Sequence, residues 1–311
     1  MPLTNQLLMI EPVRFGFNAA TAVNNVFQKN SSEPLQEKAL QEFSDFVALL
    51  RLNGIAVTVV RDTETPHTPD SIFPNNWISF HENGTVNLYP MFARNRRLER
   101  KTTVLDAIHA QFEVVTVYDL CHYESNQLFL EGTGSMVLDR HHRLAYACLS
   151  SRTSKEVLGI FCELNGYRPV VFTAADEKGI PIYHTNVLLC VADEYVVICM
   201  DSVAPGDRPV LAATIAATGK AIISISQEQL NRFAGNMLQL KNASGEKLLV
   251  MSSQAWGSLT NDQRTQLQSY NRILHAPLNT IETAGGGSAR CMMAEIFLAV
   301  KLEISNKKLE M

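Results

Sequence analysis

The chain has 311 residues, 46% hydrophobic and 19% charged, a composition that excludes a disordered or fibrous protein. Its 27 basic and 31 acidic residues give a net charge of -4 with both signs scattered, so there is no basic field to capture a nucleic acid. No stretch approaches the roughly 20 apolar residues needed to span a bilayer, and "MPLTNQLLMIEP" has no basic region followed by a long apolar run. A cytoplasmic location without a membrane partner is expected.

In chain order, "LLMIEPVRFGF" reads as a strand. A helix starting near Pro34 then carries Leu35, Ala39, Phe43, Phe46 and Leu50 on one face and stops at Gly54. The strand "IAVTVV" follows, then the hairpin "WISFHENGTVNLYP" from 77, turning at Asn83-Gly84. A helix begins near Leu98, ahead of "FEVVTVY", and a second hairpin, "SMVLDRHHRLAYACL", starts at 135 with His141 and His142 at its solvent-facing tip. "TSKEVLGIFCELNG" opens on a capping box, Thr153-x-x-Glu156, and closes at Gly166 before "RPVVFTA". The hairpin "NVLLCVADEYVVICM" from 186, a helix near Asp207 and the strand "AIISIS" repeat the pattern. So do the hairpin "MLQLKNASGEKLLVM" from 237 and a helix capped by Thr260-x-x-Gln263. "CMMAEIFLAV" resembles half of a fifth hairpin, which the N-terminal strand can complete.

The helix starts near 34, 98, 154, 207 and 260 lie 64, 56, 53 and 53 residues apart. Such a period marks a repeated unit, here hairpin, helix, strand, five times over. A ring of five units would hide its sheet edges, and the expectation is an α/β five-bladed propeller forming one domain over residues 1–311.

Equivalent positions in such a ring converge at one end of its axis. The residues at or just before each hairpin are Asn76, Glu131, His184, Asn236 and Cys291, spaced 55, 53, 52 and 55 apart. The register assembles a thiol, an imidazole and a carboxylate, the parts nucleophilic acyl-type chemistry needs. Taken singly, His184 reads as a satisfied core histidine and Glu131 as a turn residue. Cys291 after "TAGGGSAR" is either a small core residue or a nucleophile approached closely over glycines; the common register favours function. Four other cysteines, 148, 162, 190 and 199, sit in apolar runs and read as core residues, Cys121 is unclassified, and none of the six forms a CxxC pair. No metal or other cofactor is expected.

The pieces "PDSIFPNNW", "LEGTGS", "SSRT", "YHTN" and "GGGSARC" resemble the guanidino-group modifying superfamily, the pentein fold of arginine deiminases, dimethylargininases and amidinotransferases. The resemblance spans essentially the whole chain. It implies Cys291 as nucleophile, His184 as general acid/base and Glu131 as the acid that binds substrate nitrogens. It further implies Arg152 as the holder of a substrate carboxylate, with Arg96 or Arg97 as further candidates, since arginine pairs bidentately with a planar carboxylate. Asp70, Asn75, Asn76, Asn186 and Asn236 complete the expected substrate-binding set.

Two departures bear on the substrate. Where deiminases carry aspartates against a guanidinium, this chain has Asn76 and Asn186. An amide can both donate to and accept from a neutral ureido group. With "RFGFN...AVNNVFQ", the resemblance narrows to a citrulline-utilisation branch, implying hydrolysis of citrulline to ornithine, ammonia and carbon dioxide. Asp70 and Glu131 stay acidic, so arginine derivatives remain an alternative, with a deiminase, dimethylargininase or amidinotransferase activity. A propeller that only binds a partner is the alternative from another class. The expected partner is the small-molecule substrate, with homo-oligomerisation left open.

Overall fold

The computed structural model describes residues 3–30 and 35–301. Among the described residues, fifteen strands form five separate three-stranded sheets, all built to one plan. An antiparallel hairpin comes first, and a third strand is added parallel to the second after a helix crossover. In the first complete unit Ile78–Phe80 pairs antiparallel with Thr85–Leu88, which pairs parallel with Thr116–Asp119. The plan recurs in the next three, from Met136–Asp139, Leu189–Val191 and Leu238–Lys241 onward. The remaining sheet joins sequence-distant pieces: Gln6–Glu11 pairs antiparallel with Ala294–Glu295 and parallel with Ala56–Arg61.

Each crossover helix turns an apolar face to the sheets. Leu35–Leu52 buries Ala39, Phe43, Phe46, Val47 and Leu50, the larger of these contributing about 1.5–3 kcal/mol each. The expected start at Pro34 lies outside the described residues. Asn261–Tyr270 begins at the Thr260–Gln263 capping box as the sequence suggests, and Lys155–Asn165 ends on Gly166 at φ 68°.

Two helix starts differ from expectation. Ser154, not Thr153, caps Lys155–Asn165, because Thr153 is held in bridges to Ser150 and Leu130. The helix expected near Leu98 runs from Thr102 to Gln111. Before it, Arg94–Glu99 is a 3-10 turn whose arginines reach back to main-chain carbonyls, Arg97 to Met91 and Phe92, while Arg100 reaches Tyr89. The four core cysteines are buried, and burial pushes the thiols of Cys148, Cys162 and Cys190 up to about 12. No helix among the described residues is long and apolar enough to cross a membrane.

What positions the site is the start of the hairpins, where in four of the five sheets a short helical turn precedes the first strand. These turns are Pro74–Asn76, Gly132–Ser135, Thr185–Leu188 and Ala289–Met292. They pack so closely that a Cβ on Gly132, at φ 47°, would lie 2.3 Å from the carbonyl oxygen of Asn75. On Gly134 it would lie 2.4 Å from Nδ2 of Asn76 and 2.8 Å from Nδ1 of His184.

Candidate active site

Cys291 lies in the turn Ala289–Met292, after a helix, Asn279–Gly285, that ends at Gly286 with φ 65°. Its amide donates to the Ser288 carbonyl at 3.0 Å, and Ser288 Oγ donates to the buried carboxylate of Glu282 at 2.5 Å. The glycines are needed for close approach: a Cβ on Gly287 would sit 2.9 Å from the Phe73 ring and 3.3 Å from Cβ of Cys291. Arg290, the adjacent cation in sequence, is spent on Glu295 at 3.0 Å and on the Met293 carbonyl. The sulfur instead receives two neutral amides, Nδ2 of Asn236 at 3.3 Å and Nδ2 of Asn186 at 3.5 Å. Asn236 is itself oriented, since its Oδ1 accepts from the Arg290 amide at 3.0 Å. Two N–H donors thus converge on one sulfur and fix its position in the turn.

Nε2 of His184 lies 2.8 Å from Oε2 of Glu131. Glu131 has no solvent exposure; Oε1 accepts from the Phe92 amide at 3.0 Å and Oε2 lies 3.4 Å from Arg152. Burial alone would raise the Glu131 carboxyl, but Arg152 and His184 outweigh it and hold it well below the usual carboxylate range. Burial lowers His184 to about 4, against the opposing pull of Glu131 and with help from Arg152 and Arg96. The free imidazole is therefore neutral near pH 7.

The two buried arginines are already engaged. Arg152 donates to Asn24 Oδ1 and to the Thr21 carbonyl, with its guanidinium 4.8 Å from the Tyr183 ring centroid. Arg96 makes a two-pronged pair with Glu99, 2.9 Å on each arm, and donates to Oδ1 of Asn76 at 2.7 Å. That last bond fixes the Asn76 amide with its NH₂ free of the cation, donating to Asn75 Oδ1 at 3.1 Å. Asp70 Oδ2 accepts from Asn18 and Thr21 at 2.8 and 3.0 Å, whereas its buried Oδ1 has no partner among the described residues. Burial raises the Asp70 carboxyl, outweighing Arg96 and the two hydrogen bonds. Oδ1 of Asn186 is likewise buried without a partner.

A narrow cleft with about 260 Å³ of free space brings Cys291, His184, Asp70, Asn76, Arg96 and Arg152 together. Glu131, Asn186 and Asn236 stand behind this lining and touch residues or atoms within it. Asn75 is fully buried, with Nδ2 on Thr133. Arg97 is not brought in: it sits on main-chain carbonyls, 3.4 Å from Glu124 and over the Phe129 ring. Asn18, Thr21, Asn24, Asn25 and Tyr183 were not anticipated individually. The only signal for the first four was the polar run of "RFGFN...AVNNVFQ".

Among solved structures, the N-terminal domain of ArgZ covalently bound to a reaction intermediate matches with TM-score 0.75 at 18% identity, over 94% of this chain and 99% of that one. ArgZ is an arginine dihydrolase of the ornithine-ammonia cycle in cyanobacteria. AgrE in complex with L-arginine matches with TM-score 0.76 at 18% identity, over 96% of this chain but 41% of its own. A dimethylarginine dimethylaminohydrolase adduct matches with TM-score 0.65 at 14% identity, over 94% and 99% of the two chains. No curated protein matches the sequence.

Fold and site together define an α/β protein of the pentein superfamily of guanidino-modifying enzymes. Residues 11–298 match the family model described as N,N dimethylarginine dimethylhydrolase, eukaryotic, and the chain belongs to that family.

Proposed function

We propose that this protein is a cysteine hydrolase that cleaves the ureido group of citrulline, its five sheets arranged as the blades of one propeller around the cleft. The observation that carries the substrate choice is the bond from Arg96 to Asn76 Oδ1. A guanidinium offers only donors, and at this position it would meet an amide whose acceptor is already taken by a cation. A ureido carbonyl, by contrast, accepts from the Asn76 NH₂ through the hydrogen that Asn75 Oδ1 does not take. Asp70 Oδ1, in the cleft lining and without a partner among the described residues, is an acceptor for a ureido NH group.

In this scheme Cys291 attacks the ureido carbon as its thiol proton passes to neutral His184. The imidazolium, stabilised by Glu131, then protonates the departing ornithine amine, leaving an S-carbamoyl enzyme. Water deprotonated by His184 attacks the thiocarbamate carbon, the C–S bond breaks, and the imidazolium returns the proton to the Cys291 sulfur. The carbamate released breaks down to ammonia and carbon dioxide, so one citrulline and one water give ornithine, ammonia and carbon dioxide. Arg152, so tightly engaged with Asn24 and Thr21, serves here as a wall and a source of positive potential toward the substrate carboxylate.

A second reading, hydrolysis of arginine or methylarginine, is favoured by the unpartnered oxygen of Asp70, which would suit a cation. ArgZ and AgrE, with their arginine chemistry, are also consistent with it. Separate incubation with citrulline, arginine and methylarginines, with mass spectrometry of ornithine, citrulline and ammonia, decides between them. Ornithine from citrulline but not from arginine supports the first reading; ornithine or citrulline from arginine, with citrulline inert, overturns it.

A further inference from the structure

A second cleft, with about 590 Å³ of free space, opens at the opposite ends of two hairpins from the site. It lies between the tip His81–Asn83, the tip Arg140–Arg143 and the helix-to-strand turn Asn165–Tyr167. Both hairpins begin at the catalytic turns, at Asn76 and at Glu131, so three or four residues of strand separate the clefts, ~10–14 Å at the usual rise.

Arg140 is only 7% exposed, yet among the described residues no carboxylate pairs with it. Its contacts are the Phe297 ring, 3.9 Å from the guanidinium carbon, and a long 3.5 Å approach to Nδ1 of His81. A buried guanidinium without a counter-ion is costly. Arg143 joins it on the neighbouring edge, its guanidinium 5.5 Å from the Tyr167 ring centroid. Both cations act on His81, which is 4% exposed and, through burial and these two charges, held well below the ordinary histidine range. The acid within the Arg140 tip, Asp139, is committed elsewhere, accepting from the amides of His141 and His142 and lying 3.5 Å from Lys220. Among the described residues, only the exposed Glu82 brings negative charge to the lining, and it makes no ion pair with either arginine.

We propose that this cleft binds a small dianion, a phosphate group or a dicarboxylate, between Arg140 and Arg143. The dianion supplies the missing counter-charge, and Asn83, Asn165 and Tyr167 provide polar contacts around it. The proposal is independent of the reaction assigned to the other cleft.

Isothermal titration of the intact protein with inorganic phosphate and, separately, with succinate tests it. Saturable binding is expected, weakened about tenfold or more in Arg143→Gln, where an exposed residue is changed and the fold is safe. Arg140→Lys, which keeps the charge but not the planar fork, should also weaken it, and Glu82→Gln should tighten it. Binding of phosphate alone assigns a phosphate site; binding of succinate alone assigns a dicarboxylate site. Absence of saturable binding for both anions, or binding unchanged in Arg143→Gln, overturns the proposal.

Discussion

Nε2 of His184 is held 2.8 Å from Oε2 of Glu131 at the junction of two hairpin units 53 residues apart in sequence. The contact fixes which ring nitrogen faces the acid and leaves Nδ1 to exchange a proton. It also couples the orientation of the imidazole to a carboxylate that solvent never reaches.

Replacing Glu131 with Gln keeps the side chain's size but removes the charge that steadies an imidazolium. Turnover should fall by about 10²–10⁴ with little change in KM. Steady-state kinetics checks this; a variant within a factor of about two of wild type removes Glu131 from the scheme.

Cys291→Ala should lose essentially all turnover while circular dichroism and Tm stay close to wild type, since the residue is small and its neighbours are amides. Cys291→Ser should leave only a trace of activity, because an alcohol gives up its proton far less readily than a thiol and is the weaker nucleophile at the position set by Asn186 and Asn236. Intact-protein mass spectrometry during turnover should reveal the carbamoyl adduct in wild type and not in either variant.

Acid should weaken the fold. His184 is pushed down to about 4 in the folded protein, from an ordinary value of 6.5. The unfolded chain therefore binds more protons between these limits, and stability falls as pH drops from about 6.5 toward 4, by up to about 3 kcal/mol. Glu131 is also depressed and loses stability in the same direction below its ordinary range. Urea unfolding at pH 7 and pH 5 measures this, and His184→Asn should flatten the slope. An unchanged slope in that variant assigns the acid sensitivity to other groups.

Gly134→Ala introduces a methyl group 2.4 Å from Asn76 Nδ2 and 2.8 Å from His184 Nδ1. Both side chains are pinned, so the methyl must displace one of them. A shift of ~1 Å at a catalytic group costs about a hundredfold in rate. Kinetics and a melting curve together should show kcat falling much further than stability.

Asn76→Asp places a carboxylate against Arg96 and replaces a donor with an acceptor at the cleft wall. The citrulline-to-arginine ratio of kcat/KM should drop about tenfold or more. A ratio that holds or rises would detach substrate choice from this residue.

Much of this molecule was legible before coordinates. The hairpins, the five-fold spacing and the register Asn76, Glu131, His184, Asn236 and Cys291 follow from turn chemistry and periodicity, both local properties. What was not legible depends on partners far away in the chain. Arg97 and Arg96 stand side by side in "ARNRRLER", but only Arg96 faces Glu99, Asp70 and Asn76. A 3-10 turn rather than a helix sets that divergence. Asn24 is 128 residues from Arg152, and Asn18 is 52 from Asp70. No spacing rule foretells such bonds. Thr153 offered a good capping pattern, yet a bridge to Leu130 claimed it and Ser154 took the cap.

The start of one hairpin and the tip of another differ sharply in how much room they leave. At Gly132 the next backbone oxygen stands where a side chain would begin, whereas around Gly245, at the tip between Leu238–Lys241 and Lys247–Ser252, nothing lies within 4 Å. Peptide tags or spacers could therefore be spliced into that tip at little cost, while lengthening the turn at Gly132 by a single residue would force apart the packed turns that carry Asn76, Glu131 and His184.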